Sequence, residues 1–489
     1  MTTDPLLLDH RRRWLALILL CLGVLMIVLD TTIVNVALPS IRADLAFSET
    51  SLVWVVNAYM LTFGGFLLLG GRLGDLYGHR RLFIAGIVGF TLASLACGVA
   101  PTQVVLIAAR AVQGVAGAVV SAVALSLIMN LFTEAGERAK AMGVYGFVCA
   151  SGGSIGVLLG GLLTGTLGWR AVFLVNLPIG VAVVALCLRL LPAGVSAAQR
   201  AKLDWAGAGS ITLSLMLAVY AVVNGNAAGW ASAQTLGLLG LAVALFVAFV
   251  LVETKVAVPL MPLTLFKRRN VATANVVGVL WAAAMFAWFF LSALYMQLVL
   301  GYSPWQVGLG FLPANLIMAV FSLGLSARIV MRWGLRGPLA VGLWLAAAGL
   351  ALFARAPVQG DFVVDVLTGM LLLGLGGGIA FNPVLLAAMS DVDAADSGLA
   401  SGVVNTAFMM GGALGLAVLA SGAAARTAGL QAAGVPPVDA LNQGYQLAFV
   451  LGAAFAALAG GLGAAFLRTG RLASSSSSSP ATQPEGEAA

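Results

Sequence analysis

The stretch WLALILLCLGVLMIVLDTTIVNVAL, residues 14–38, carries a single charged residue, Asp30, in an otherwise apolar run. A helix needs roughly 20 residues to cross the hydrocarbon core, so this run is long enough to span a membrane. A carboxylate at that depth costs about 2.5–3.5 kcal/mol on insertion scales and is usually kept for a function and given a partner. The run therefore predicts a membrane-spanning helix that carries a functional acid.

Arg110 is the candidate partner of Asp30, because it is the only basic residue that lies deep inside an apolar run, at about 103–131. If the first run enters the membrane from the cytoplasm, the fourth run enters it from the outside. Both side chains then lie roughly 10–12 Å below the outer surface, at 1.5 Å per residue. The matched depth predicts a proton-handling pair. A structural ion pair that joins two helices is the alternative.

Composition indicates an integral membrane protein, since 61% of the residues are hydrophobic, 9% are charged and the mean hydropathy is +1.04. Soluble domains carry about 25% charged residues. We find fourteen apolar runs long enough to span a membrane, of which 338–354 is among the shortest, and no amphipathic strand pattern. The predicted fold is all-α and integral to the membrane, with fourteen transmembrane helices.

The fourteen runs divide into six, two and six, which predicts two six-helix halves and an inserted two-helix hairpin. Runs seven and eight contain no interior charge, so we expect a peripheral, lipid-facing hairpin with no side chain in the central cavity. The serine-rich end of the chain is too polar to form a core. The predicted units are a cytoplasmic segment 1–13, an N-terminal half 14–191, the hairpin 205–252, a C-terminal half 271–467 and a disordered tail 473–489.

The net charge of +7 comes from an uneven distribution of lysine and arginine. With the N-terminus in the cytoplasm, twenty of these 25 residues fall on the inside and four on the outside, and Arg110 is the remaining one. This is the positive-inside pattern, and it predicts a cell-membrane protein with both termini cytoplasmic. The positive charge therefore sets the orientation and does not indicate a partner nucleic acid.

Cysteine and histidine usage argues against metal and redox chemistry. The four cysteines lie in four different apolar runs, and both histidines lie outside the runs, so no disulfide or metal site is expected. The sequence has no nucleotide-binding loop and no extramembrane segment large enough for a signalling domain, which disfavours a membrane-embedded enzyme or a receptor. We expect no cofactor, with a proton gradient as the energy source.

The connection between runs two and three reads GRLGDLYGHRR, residues 71–81. Its glycines allow a tight turn, and its arginines can meet helix C-termini, where the helix dipole is negative. The spacing predicts a conformational latch, with a basic loop that only sets topology as the alternative. The latch residues are Gly71, Arg72, Asp75, Gly78, Arg80 and Arg81.

Two later runs show small residues at helical spacing. Arg110, Gln113 and Gly114 begin a polar and small face on the fourth run, which should point into the bundle. The fifth run repeats glycine every four residues, a pattern that allows close helix contact. Ordinary helix packing without a special role is the alternative. The predicted packing residues are Gly152, Gly156, Gly160 and Gly161.

The ninth run, about 271–298, is rich in aromatic residues, which suit flat, apolar or cationic guests. Aromatic residues that only face lipid or pack in the core are the alternative for most of them. A central pocket also needs polar groups from other runs. The candidate substrate-binding residues are Asn35, Asn57, Tyr59, Gln113, Trp281, Trp288, Tyr295 and Asn405.

Several of these stretches together resemble one family. Residues 29–39 (LDTTIVNVALP), 71–81, 106–117, 156–161 and 168–178 resemble, in order, motifs of the fourteen-helix drug:proton antiporter branch of the major facilitator superfamily. Residues 374–383 and 401–415 are similar to that branch as well. Two departures are Val157, where the fifth-helix motif usually has proline, and the non-basic Leu76 and His79 in the loop.

The resemblance implies a proton-coupled antiporter that exports hydrophobic or amphipathic drug-like compounds by alternating access. Asp30 would take up the proton and Arg110 would modulate its affinity. Export of a self-made metabolite or antibiotic, and proton symport, are the alternatives. The expected partners are a small hydrophobic or amphipathic substrate, protons and the lipid bilayer, and the expected state is a monomer.

Overall fold

The regular elements are all helical in the computed structural model, which describes residues 10–132, 135–190, 205–256, 259, 263–321, 325–389 and 397–467. Twelve helices of this part are long and apolar enough to cross a membrane. Two further apolar helical stretches are shorter, Ile155–Leu167 and Pro304–Val320. The chain is therefore a multi-pass membrane protein of the predicted all-α class.

The first half of the chain forms seven helices. α1 begins at His10, so the end of the segment 1–13, which we predicted to be a separate cytoplasmic piece, is already helical. The sixth predicted run is interrupted at Val175 and forms the short α6 followed by α7. The helices are α1 His10–Leu45, α2 Glu49–Tyr77, α3 His79–Gly98, α4 Gln103–Leu131, α5 Ala135–Leu167, α6 Ala171–Leu174 and α7 Asn176–Leu190.

The predicted loop 71–81 is mostly helix. α2 continues to Tyr77, α3 begins at His79, and only Gly78 separates them. Gly78 has φ +90°, a backbone conformation that residues with a Cβ rarely adopt. The turn is therefore tighter than a loop of eleven residues would be, because one glycine suffices to reverse the chain direction.

The described residues of the second half form a further seven helices, with short irregular helical segments between some of them. Pi-helical turns at Tyr295–Val299 and Phe362–Leu367 flank α10 and α14, and a 3₁₀ segment, Leu263–Lys267, precedes α10. The helices are α10 Arg269–Leu294, α11 Pro304–Val320, α12 Ser326–Trp333, α13 Arg336–Phe353, α14 Thr368–Met389, α15 Ser397–Ala432 and α16 Pro437–Phe466. Residues 191–204, which include the last residue of the predicted N-terminal half, and the predicted tail 473–489 lie outside the described residues.

Glycines bring the principal helix pairs close together. α5 packs along α1 through Gly152, Gly156 and Gly160, and a Cβ added at Gly160 would lie 2.7 Å from the carbonyl oxygen of Ile33. Gly161 faces the other half of the molecule, where an added Cβ would lie 2.7 Å from the carbonyl oxygen of Pro304 on α11. The predicted packing glycines thus lie both within the first half and at its contact with the second.

The two halves meet along two seams. α2 packs against α15, and α5 packs against α11. A hydrogen bond between the halves joins Gln297 Nε2 to the carbonyl oxygen of Val36, at 3.1 Å. This contact lies towards the end of the bundle at which α1 finishes.

The hairpin is made of α8 Trp205–Ala228 and α9 Ala233–Glu253. α9 packs on α8 and is largely exposed, as expected for a lipid-facing helix. α8, by contrast, packs on both halves. Thr212 Oγ1 donates to the carbonyl oxygen of Gly65 on α2 at 3.3 Å, and Asn226 Nδ2 donates to the carbonyl oxygen of Ser421 on α15 at 2.6 Å. The hairpin is peripheral, but α8 lies over the α2–α15 seam, so only α9 is a simple lipid-facing helix.

Replacing Gly160 with valine should destabilise the protein, because the new Cβ would press on the backbone of α1 rather than on a movable side chain. Overpacking of this kind costs about 1–3 kcal/mol. The measurement is the midpoint of thermal unfolding of the purified protein in detergent. Gly165→Val on the same helix is the matched control, since an added Cβ there meets nothing within 4 Å. Equal shifts for the two variants would contradict the packing role.

Candidate functional site

Asp30 lies in the interior of the first half, where four helices meet. Its side chain is fully buried, as are those of Arg110 and Gln113 on α4 and Ser94 on α3. Asn176, the first residue of α7, is 1% exposed and completes the group. We call these five residues the Asp30 cluster. They form a polar island enclosed by apolar side chains.

Both carboxylate oxygens of Asp30 accept hydrogen bonds. Oδ2 receives a short, direct contact from the Arg110 guanidinium, which is also an ion pair. Oδ1 accepts from Gln113 Nε2 at 2.8 Å and from Asn176 Nδ2 at 3.0 Å. Arg110 balances the charge and the two amides replace the lost water, which meets the requirement for a charge buried in an apolar medium.

The guanidinium of Arg110 is held from several sides. Its Nε donates to the carbonyl oxygen of Val55 on α2 at 2.9 Å, and Nη1 also donates to Gln113 Oε1 at 2.7 Å. Its central carbon lies 4.3 Å from the ring centroid of Tyr59 and 5.7 Å from that of Phe173, within the range of a cation–π contact. The position of Arg110 is therefore fixed independently of Asp30.

Glycine explains how Arg110 reaches α2. Gly114 and Gly117 lie on the same face of α4 as Arg110, and a Cβ added at either position would press on α2. For Gly117 the nearest atom would be the Tyr59 hydroxyl at 3.1 Å. Thr62 Oγ1 also donates across this contact to the carbonyl oxygen of Ala111, at 2.8 Å. The polar-and-small face predicted for α4 is thus the face that meets its neighbours.

Two members of the cluster were not among the predicted site residues. Asn176 Nδ2 lies 3.2 Å from Ser94 Oγ, and Ser94 also accepts from Gln113 Nε2 at 2.8 Å. Asn176 belongs to the stretch 168–178 that we matched to a family motif, and this match was a usable signal. Ser94 is a single serine in an apolar run, and nothing in its sequence surroundings distinguishes it.

The predicted substrate residues fall into separate places. Tyr59 and Gln113 adjoin Asp30, as described above. Asn35 is buried on α1 and donates to the carbonyl oxygen of Thr31 at 3.5 Å. Tyr295 donates to the carbonyl oxygen of Pro357 at 2.8 Å, which holds it at the end of α10. Asn405 is half-buried on α15.

Three other predicted substrate residues share one property. Asn57 on α2 and both Trp281 and Trp288 on α10 are buried, and their polar side-chain atoms have no hydrogen-bond partner within the described part of the chain. Buried polar atoms of proteins are nearly always paired, so each of these groups needs an explanation.

The latch residues are only partly described. Gly78 makes the turn, and Arg80 donates to the carbonyl oxygen of Leu188 at 3.3 Å, close to the C-terminus of α7. This is the kind of arginine contact with a helix end that we expected from the sequence. Arg81 is exposed. The side chains of Arg72 and Asp75 lie outside the described part, so the latch remains a prediction.

Asp30 is the only acid of the Asp30 cluster, and a proton added to it would remove the negative charge that pairs with Arg110. Within the described residues, no group of histidine, cysteine, aspartate and glutamate could hold a metal ion. Asp30 has an ion-pair partner whose other contacts persist without it. A proton added to Asp30 would therefore weaken the link from α1 to α4 and leave Arg110 held by α2.

Comparison with known proteins gives a consistent result. Residues 20–416 match the family described as Major Facilitator Superfamily. The puromycin resistance protein pur8 of Streptomyces alboniger is 41% identical over 89% of this chain and 88% of its own length. The cephamycin export protein CmcT of Amycolatopsis lactamdurans is 40% identical over 85% of this chain and 86% of its own.

Two further similarities extend this result. The multidrug resistance protein Stp of Mycobacterium tuberculosis (strain CDC 1551 / Oshkosh) is 37% identical over 84% of this chain and 76% of its own length. A crystal structure of the nucleoside transporter NupG aligns with a TM-score of 0.63 at 13% identity, over 91% of this chain and 98% of that one. At that identity the structural match shows the fold alone.

Arg110→Leu should be strongly destabilising, because it leaves the Asp30 carboxylate buried without a countercharge. Breaking a buried pair in this way costs about 3–5 kcal/mol. Adding Asp30→Asn to the same chain should restore much of the loss, since a neutral amide needs no countercharge. Thermal unfolding of both single variants and the double variant measures this coupling. A double variant as unstable as Arg110→Leu alone would show that Arg110 does not compensate Asp30.

Proposed function

Because the chain belongs to the major facilitator superfamily and is a transporter rather than an enzyme, we propose that it is a proton-coupled antiporter. It exports hydrophobic or amphipathic drug-like compounds across the cell membrane by alternating access. The relatives named for puromycin resistance, cephamycin export and multidrug resistance support export as the direction of transport.

The observation that carries the proton coupling is the enclosure of Asp30 by donors from neighbouring helices. Ionised Asp30 binds Arg110 and joins α1 to α4. Protonated Asp30 loses that attraction, so the proton and the arrangement of the helices depend on each other. One charge moved through 100 mV is worth about 2.3 kcal/mol, so even a single proton supplies a useful driving force.

The proposed topology is fourteen spans, as two six-helix halves, 14–191 and 271–467, and the hairpin 205–252. The twelve long apolar helices and the two shorter ones, Ile155–Leu167 and Pro304–Val320, support this number. The lysine and arginine distribution supports cytoplasmic termini. With that orientation, the bond from Gln297 to Val36 lies on the outer side and joins the two halves there. We propose that the transporter works as a monomer.

A narrower substrate range is the second candidate. Two of the relatives are named for one antibiotic each, puromycin and cephamycin, which favours export of a single compound. The name of the third relative favours a broad range. Competition among puromycin, cephamycin and an unrelated amphipathic dye for efflux from the same vesicles separates the two, because a broad exporter is inhibited by all three.

Asp30→Asn should abolish efflux driven by a pH gradient, because the amide cannot take up and release a proton. The measurement is puromycin transport in proteoliposomes of defined orientation, together with the pH change inside them. Asp439→Asn is the matched control, since this acid is exposed at the start of α16. Efflux at the unmodified rate in the Asp30 variant would rule out this residue as the coupling group.

Asp75→Asn should slow transport without weakening substrate binding, because the latch acts on the interconversion of the two conformations. Substrate affinity in detergent and the turnover rate in proteoliposomes are measured on the same preparation. A loss of affinity with normal turnover of bound substrate would contradict the latch.

A further inference from the structure

α10 and α11 present a group of buried polar side chains that the proton-coupling site does not use. Trp281 and Trp288 on α10 are 1% and 2% exposed, and Asn315 on α11 is 1% exposed. Neither indole Nε1 has a hydrogen-bond partner among the described residues, and neither does the Asn315 amide at its oxygen or its nitrogen. Asn315 was not among the residues predicted from the sequence.

The three side chains share one face of the second half. The rings of Trp288 and Phe311 are 5.9 Å apart, between α10 and the start of α11. Towards the end of α11, Met318 and Trp281 lie at the same place, since a Cβ added at Gly377 on α14 would be 3.1 Å from the sulfur of Met318 and 3.5 Å from the ring of Trp281. The two helices are therefore antiparallel here.

Asn315 falls midway between these two contacts. It lies four residues after Phe311 and three before Met318, which places all three on one side of α11. By the same register it is opposite Ala284, a small and fully buried residue between the two tryptophans of α10. From this spacing we infer that Asn315 lies at a level between the two tryptophans along the helix axis.

An unpaired polar group in a protein interior costs about 1–3 kcal/mol. Three such groups on two helices whose aromatic side chains meet are therefore a substantial and avoidable cost, since leucine and phenylalanine would fit a purely structural core. The cost is explained if a molecule that is bound for part of the transport cycle supplies the missing partners.

We propose that Trp281, Trp288 and Asn315 form a binding site that selects an uncharged, planar, polycyclic compound bearing oxygen acceptors. The proposal rests on the export function proposed above and names its substrate class. All three groups are enclosed in this conformation, so the compound reaches them when alternating access opens the two halves.

The chemistry of the lining defines this class. An indole N–H only donates, so the compound must offer acceptors, whereas the Asn315 amide both donates and accepts. The two tryptophans are seven residues apart on α10, which is roughly 10 Å along the axis and matches a system of several fused rings. Phe289 and Phe311 stack at 5.4 Å and form a flat aromatic wall.

Charge completes the description of the class. The helical stretches 270–294, 304–320 and 368–389, which belong to α10, α11 and α14, contain no lysine, arginine, aspartate or glutamate. A charged ligand would therefore find no countercharge at this site and would lose its hydration. The charged machinery lies in the first half, at the Asp30 cluster, and the second half is left to bind a neutral guest.

The test uses a matched pair of probes, anthraquinone and anthracene, which share a planar three-ring shape and differ in the two carbonyl acceptors. Equilibrium binding of each is measured to the purified protein in lipid nanodiscs, with no proton gradient. Asn315→Leu should weaken anthraquinone binding about tenfold, the equivalent of one lost hydrogen bond, and leave anthracene binding unchanged. Trp281→Phe and Trp288→Phe keep an aromatic ring and should have the same selective effect.

Asn442→Leu is the matched control, because this buried asparagine already donates to the carbonyl oxygen of Ala356 at 3.1 Å. It should lower the melting temperature and leave the binding of both probes unchanged. Asn315→Leu should raise the melting temperature of the ligand-free protein, since it removes an unpaired polar group. A lower melting temperature for Asn315→Leu would indicate a structural partner and would overturn the proposal.

Equal loss of both probes in Asn315→Leu, or no loss of anthraquinone, would also overturn the site. The proposed binding site and the proposed proton-coupled antiport can fail separately, because binding is measured without a proton gradient and efflux is measured with one. Selective loss of anthraquinone binding with no pH-driven efflux would leave the site standing and remove the antiport mechanism. Normal pH-driven efflux with no preference for anthraquinone over anthracene would leave the antiport mechanism standing and remove the site.

Discussion

A carboxylate enclosed in hydrocarbon must have its charge balanced and both of its oxygens hydrogen-bonded, and the first half of this protein is arranged around that requirement. Asp30 on α1 binds Arg110 and Gln113 on α4 and Asn176 on α7, and Ser94 on α3 supports two of these donors. One acid thus fixes the relative positions of four helices. A change in the charge of Asp30 therefore alters contacts that involve all four helices.

The buried polar groups discussed above differ in their hydrogen-bond partners between the two halves of the molecule. In the first half, the buried charges of Asp30 and Arg110 have partners within the protein. In the second half, Trp281, Trp288 and Asn315 are neutral and their polar atoms are unpaired among the described residues. A network whose polar groups are all paired within the protein suits the proposed binding and release of a single proton. Open donors between aromatic rings suit a larger guest that brings its own acceptors.

The sequence predicted those features that a single helix determines by itself. Depth along α1 and α4 predicted the contact of Asp30 with Arg110, and the small-residue face of α4 predicted which side meets its neighbours. It did not predict the part played by Ser94, because that depends on how α3 is placed against two other helices. Asn315 was not predicted for the same reason, because the role proposed for it depends on the two tryptophans of another helix, α10. Likewise, the lack of charge in 205–252 predicted the exposure of α9 but not the docking of α8.

The position of α8 makes the protein unequal on its two lipid-facing sides. Hydrogen bonds from Thr212 to α2 and from Asn226 to α15 fasten this helix across one seam between the halves. Among the described helices, neither α8 nor α9 packs on α5 or α11. The hairpin therefore covers the α2–α15 seam and leaves the α5–α11 seam without a covering helix of its own. In the transport proposed above, a compound dissolved in the bilayer would meet α8 on one side of the protein and the α5–α11 seam on the opposite side.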